Sequence, residues 1–443
     1  MGLFSRLDAC LGAAVVWLLY LAASPAPMHE HFPLNIFADL TLKCSPEDFS
    51  SGYWEPKPGQ QANATSVEEI IAASGWTGCA SMREPLWHLA ASDERMIQWR
   101  GSASHYTYVP PPTCQGFQPP CGDEFVRLLV ERGGWLLLGD SVSEGQYFSL
   151  SCELHPHVRA EPDWSADPSD RSIPQHLFLD KFSPLVPHLK FPPGFDLDRT
   201  PLVTFRRTDV IMDPDELVEV FAKAYPERAS KPTPQIKDIF GTSQEVFYHF
   251  PASEQLEMFT SPPPLNYGLL VANSAAHWTQ SVFEALDGPD AIIDFFAHAT
   301  RSYITRITRA FDGGQARPKW TSAPRYSSRT SSGHARRVVF RSATTGTDDC
   351  LSSDWRELGP SREVPPMNAN HWNWRWIWRL NEEVANAVAA TNHPMIHYLP
   401  IDRPALLRGD AHVLFDCVHF AAGTGAMETW TDYIANFVYR ERL

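Results

Sequence analysis

The sequence predicts an α/β fold with a mainly parallel sheet and helices on both faces. Short apolar runs recur near residues 135–138, 202–206, 268–272, 337–341, 395–399 and 412–415. Helix-forming stretches alternate with them near 142–154, 215–224, 290–310, 375–390 and 428–439. Parallel strands need a long crossover between them, so this alternation is the pattern of a sheet wound with helices. At 443 residues and 43% hydrophobic content, the chain can bury a substantial core in one large domain or two.

Taken from the N-terminus, Leu11 to Ala23 is apolar, follows Arg6 and runs into Ser24-Pro25-Ala26-Pro27. It is short for a bilayer span of about 20 residues. It fits a cleaved signal or a short signal anchor over residues 1–25, with Arg6 on the cytosolic side. Residues 26–43 read as a stem. Residues 44–125 carry Cys44, Cys79, Cys114 and Cys121 with the proline-rich stretch Pro110 to Pro120, so a loop-rich subdomain is expected there. Residues 126–443 are expected to form the α/β domain. Within it, Ile377, Leu380, Val384 and Val388 give one helix an apolar stripe. The tryptophan run Trp372, Trp374, Trp376 and Trp378 reads mainly as packing, with one or two able to line a sugar-binding groove. The Gly-, Ser- and Arg-rich stretch 312–335 is expected to be a loop bordering the substrate. There is no internal repeat.

Trp135 to Leu138 is an apolar strand, followed at once by Gly139-Asp140-Ser141 and then a helix. A serine at that turn lies at the carboxyl end of a parallel strand, where α/β proteins place their sites. The helix N-terminus offers backbone N–H groups to a developing oxyanion. Gly139 suits a tight turn, and Asp140 can bond nearby backbone. Gly-Asp-Ser alone is a weak signal, since ordinary capped turns use the same residues. Its weight comes from Asp416 and His419 near the C-terminus. A serine needs a base, histidine titrates near neutral pH, and a carboxylate fixes the imidazole tautomer. Asp and His three residues apart can lie side by side in a turn. The order is Ser141…Asp416…His419, and no Gly-x-Ser-x-Gly elbow supplies a rival nucleophile.

A net charge of −15 argues against nucleic acid and against a polybasic membrane patch as partners. No paired Cys-x-x-Cys spacing exists, so no metal site is expected. Asn63-Ala64-Thr65 is a glycosylation acceptor if the chain is exported.

These motifs resemble the trichome birefringence-like family, the PC-esterase branch of SGNH-type acyl-transfer enzymes. The Gly-Asp-Ser and Asp-x-x-His motifs are intact. Similar stretches follow in order: CSPEDFSSGYW from Cys44, LLVANSAAHW from Leu269, VVFRSATTG from Val338, RPALLRGDAH from Arg403 and METWTDYI from Met427. The likeness covers roughly residues 44–443. Departures are clear too. Phe420-Ala421-Ala422 stands where the family has a second cysteine, Ala343 to Gly346 replaces Ser-Pro-x-His, and Asp410 lies unusually close to Asp416.

The resemblance implies a three-layer SGNH-hydrolase-like core. It implies a Ser141–His419–Asp416 triad and an oxyanion hole from the Ser141 backbone, Asn273 and, more weakly, Gly139. Arg206 with its neighbour Arg207, His277 and Trp278 are weaker candidates to touch substrate, because each residue type more commonly packs or pairs. Pairings Cys44–Cys114, Cys79–Cys152 and Cys350–Cys417 are implied, leaving Cys121 over. So is a Golgi membrane protein of type II, or a secreted one, anchored through its N-terminal segment. The implied activity moves acetyl from a donor, acetyl-CoA or another acetyl ester, onto a polysaccharide hydroxyl, with no bound cofactor. A carbohydrate acetylesterase shares every catalytic residue, and a silent glycan-binding wall protein is the remaining alternative.

Overall fold

The computed structural model describes residues 44–58, 64–165, 174–228, 235–243, 248–312, 327–347, 359–365, 372–413 and 416–440. Its centre is a seven-stranded sheet. In chain order the strands are β3 (Gly134–Gly139), β4 (Val158–Glu161), β5 (Gln175–Leu179), β6 (Pro201–Arg207), β7 (Tyr267–Ala272), β8 (Arg337–Arg341) and β9 (Ile396–Leu399). A separate hairpin-like pair, β1 (Tyr53–Pro56) and β2 (Tyr106–Val109), is antiparallel. The sheet order is β4-β5-β6-β3-β7-β8-β9. The five strands from β6 to β9 are parallel, while β4 and β5 add an antiparallel edge.

The helices fall into two layers. On one face lie α1 (Gly122–Arg132), α2 (Ser141–Glu153) and α7 (Ala426–Tyr439). On the other lie α3 (Pro214–Ala224), α4 (Ala252–Thr260), α5 (Gly288–Phe311) and α6 (Ile377–Thr391). Strand β3 shows why the sheet needs both. Trp135 and Leu137 enter the first layer and Leu136 and Leu138 the second, all buried. A strand covered twice must be apolar on both sides, and each such leucine contributes roughly 2 kcal/mol by leaving water.

Five of the six expected strands form. The sixth does not: near 412–415 there is only an isolated bridge, His412 with Phe420, and residues 414–415 lie outside the described residues. The strands at 158–161 and 175–179 were not expected, because VRAE and QHLFL are short and mix polar with apolar residues. A domain boundary at 125/126 would fall inside α1.

The N-terminal region is stitched to the rest by long-range bonds. The Trp54 indole donates to the Pro404 carbonyl, and Arg403 donates to the Ser50 and Gly52 carbonyls. Disulfides join Cys44 to Cys114 and Cys79 to Cys152. Cys417 is also disulfide-bonded. Cys350 lies outside the described residues, as do Asn63 and the whole N-terminal stretch 1–43. Among the described residues no helix is long and apolar enough to cross a membrane.

Part of the expected substrate loop can be placed. Residues 313–326 lie outside the described residues. Residues 327–335 sit at the amino ends of the strands, where the Ser331 N–H donates to Asn266, just before β7. That is the opposite end of the sheet from Ser141, so this segment does not border Ser141.

Candidate active site

Ser141 is the first residue of α2, directly after β3. Asp140 caps the helix: its Oδ1 accepts from the Val142 N–H at 3.0 Å. The Ser141 N–H lies in the first turn and has no intrahelical acceptor. Gly139 makes the turn possible by having no side chain. A Cβ there would clash with the Ser143 hydroxyl and lie 2.8 Å from the Asn273 carbonyl. The Gly139 carbonyl accepts from Thr208, tying this turn to the end of β6.

His419 arrives from a loop 278 positions away. Its Nε2 is 2.7 Å from Ser141 Oγ, and its Nδ1 is 2.6 Å from Asp416 Oδ2. The other carboxylate oxygen, Oδ1, accepts from the Val418 and His419 N–H groups at 2.9 and 3.1 Å. Burial opposes the charge on Asp416. The hydrogen bond and charge of His419, with the two backbone donors, overcome it and hold the carboxyl down at about 2. An ionised carboxylate only accepts, so Nδ1 carries a proton, and in the neutral imidazole Nε2 is the nitrogen left to accept from the serine hydroxyl.

The loop is braced from below. Arg408, fully buried, grips Asp410 through Nε and Nη2 at 2.8 and 2.9 Å, and donates to the Thr424 carbonyl. Val413 N–H bonds the His419 carbonyl, and Thr347 N–H bonds the Cys417 carbonyl. The RPALLRGDAH stretch therefore acts structurally, by fixing where the next loop starts.

The N-terminal region supplies the near wall. Trp87 meets the His419 ring edge-on at 5.0 Å between centroids. His88 stacks flat on Phe148 of α2 at 4.4 Å. Burial, then the neighbouring His419 and Arg83 charges, push His88 down to about 3, so it stays neutral beside the base. The Cys79–Cys152 disulfide joins the approach to this segment with the last turn of α2.

A charged chain runs along the carboxyl edge of the sheet. Glu144, one turn beyond Ser141, is 3.0 Å from Arg83 and 3.6 Å from Arg207, and accepts from Gln175 at 2.7 Å. Arg207 bonds Asp209 at 3.0 Å, and Asp209 lies 3.5 Å from His277. Burial opposes the Arg207 charge, but Asp209, Glu144 and Asp140 raise its pKa overall.

Three expectations about contacts change. Arg206 stacks over the ring of Phe250, from the segment before α4, at 4.1 Å; Arg207 is the arginine on the Ser141 side. One residue of strand alternation separates the two faces. Trp278 is 0% exposed and packs on Phe283 and Phe296, which removes it from substrate contact. Asn273 does sit beside Gly139, but its Nδ2 donates to the Arg341 carbonyl at 2.9 Å, so one of its two N–H groups is already used. His277 lies on the carboxyl edge, in the Asp209 chain. Among the described residues no group of His, Cys, Asp and Glu is arranged to hold a metal.

Sequence reasoning missed Arg83, Trp87, His88, Glu144 and Asp209. Glu144 was legible as a charge on the face of α2 just past Ser141. The others meet the site only through long-range folding. Comparison with known protein families finds no match to the chain, and comparison with curated proteins finds none.

Proposed function

We propose that this chain is a serine acyltransferase of SGNH type that moves acetyl groups onto hydroxyls of a polysaccharide. The observation that carries the reading is the relay of 2.7 and 2.6 Å from Ser141 through His419 to an ionised Asp416. Ser141 gives its proton to His419 Nε2 as Oγ attacks the acetyl carbonyl carbon of the donor. The resulting oxyanion faces the N-terminus of α2, where the Ser141 N–H is a donor. His419 returns the proton to the leaving group as the bond to it breaks, leaving acetyl-Ser141. In the second half, His419 takes the proton of a sugar hydroxyl, whose oxygen attacks the acetyl carbon. Ser141 Oγ leaves with that proton and the acetylated sugar departs. Water in place of the sugar gives free acetate. The motif resemblance supports acetyl and polysaccharide as the groups exchanged, and a Golgi or secretory setting.

The test uses the full chain with an activated acetyl ester and a panel of neutral and acidic oligosaccharides, followed by mass spectrometry of sugars and free acetate. Acetylated sugar that disappears in Ser141→Ala supports the transferase. Free acetate alone, dependent on Ser141, moves the assignment to an acetylesterase. Turnover that survives Ser141→Ala overturns both.

A further inference from the structure

We propose that Trp372 and His277 form a stacking subsite for a neutral pyranose ring beside the Ser141 centre. Trp372 is 57% exposed, although an indole gains most by burial. It also holds a left-handed backbone, φ 47°, which a bulky residue adopts only when its surroundings impose it. The imposition is visible one residue on. The Asn373 side chain is buried, and its Nδ2 donates to the Ala275 and Trp278 carbonyls at 2.7 and 3.1 Å. Trp374 then packs against Cys417 and Val418, just before His419. The segment 372–374 therefore spans from the His277 loop to the catalytic His419 loop and holds the Trp372 indole out at the rim.

The polar part of the subsite adjoins that indole. His277 meets Trp372 edge-on at 5.7 Å, and behind it Asp209 and Arg207 lead back to Glu144 on the Ser141 helix. A flat apolar face beside an imidazole, with the Asp209 carboxylate and the Arg207 guanidinium behind it, matches a sugar ring, which has one C–H face and a rim of hydroxyls. The charge balance selects among sugars. Arg83 and Arg207 behind His277 are matched by Glu144 and Asp209, and the chain as a whole carries −15, which disfavours an anionic sugar at long range. A lipid chain would need an apolar groove in place of these side chains.

The inference rests on the acyl-transfer reading for the role of the neighbouring serine, but its test needs no turnover. Full-chain Ser141→Ala protein is titrated calorimetrically with xylohexaose, cellohexaose and hexagalacturonate. At least one neutral oligosaccharide should bind more tightly than hexagalacturonate. Adding Trp372→Ala should weaken it at least tenfold, Trp372→Phe should restore part of the loss, and Trp378→Ala, the other strongly exposed tryptophan of this run, should leave it within twofold. Absence of neutral-sugar binding, tighter binding of hexagalacturonate, or unchanged affinity in Trp372→Ala overturns the subsite. Loss of Ser141-dependent turnover in the functional assay would instead overturn the acyl-transfer reading and leave these affinities standing.

Discussion

Asp416→Asn isolates what the carboxylate does. Asparagine keeps an oxygen that can still accept from the Val418 and His419 N–H groups, so the loop retains its turn. The atom facing His419 Nδ1 at 2.6 Å becomes an amide nitrogen, which donates. Two donors cannot share that contact, so the imidazole must take its proton on Nε2. Nε2 then points an N–H at Ser141 Oγ, 2.7 Å away, and can no longer accept the serine proton. In comparable triads this tautomer change costs about 10⁴-fold in kcat, equivalent to about 5 kcal/mol. The stability cost is smaller. A carboxyl held at about 2 against an ordinary 3.8 represents about 2 kcal/mol of folded-state stabilisation. The assay is acetyl transfer from p-nitrophenyl acetate to Ser141, followed by intact mass at pH 7, beside a urea titration. A rate within tenfold of wild type in a folded Asp416→Asn protein would refute the reasoning.

Other outcomes follow from the same geometry. Gly139→Ala forces a methyl against Ser143 and the Asn273 carbonyl, and should cost about 1–3 kcal/mol in denaturant titration together with most of the activity. Glu144→Gln leaves Arg83 and Arg207 in a largely buried site with their shared anion gone, so a loss of about 3 kcal/mol is expected by the same method. The double change Cys79→Ser with Cys152→Ser opens a bridge spanning 73 positions. The chain-entropy model gives about 4 kcal/mol, and a much smaller drop in urea midpoint would count against it. Acid should weaken the fold in two windows. His88, His176, His397 and His412 have lowered pKa values in the folded state, chiefly through burial. Only the unfolded chain binds these protons near pH 6, so stability falls as pH drops from about 6.5 toward 4. The Asp416 contribution is full above about pH 4 and is lost toward pH 2. A urea midpoint that does not change between pH 7 and 5 would contradict the histidine assignment.

Much of the fold was legible because its signals are local. Runs such as Trp135 to Leu138 must be strands covered on both faces, and the spacing between runs dictates parallel connections. Ser141, Asp416 and His419 were legible because the proposed acyl transfer constrains residue type, and Asp-x-x-His fits one turn. What stayed hidden depends on distance in sequence or on single-residue alternation. Arg206 and Arg207 are chemically alike, and only the register of β6, with Arg207 beside Gly139, decides which one reaches Glu144. Trp278 and Trp372 are the same residue type with opposite fates, one under α5 and one at the rim. No local pattern announces that Trp87 will close on a histidine more than three hundred positions later.

The pairing of Ser141 with His419 has a consequence for biogenesis. While the chain is being synthesised, α2 can form long before its base exists. The Gln146–Thr431 and Ser149–Glu428 bonds that seat α7 on α2 come later still. On the proposed function, a reagent that labels activated serines would therefore ignore nascent and half-folded chains and mark only those whose two distant segments have docked. Such labelling would report conformational maturity in the cell, molecule by molecule.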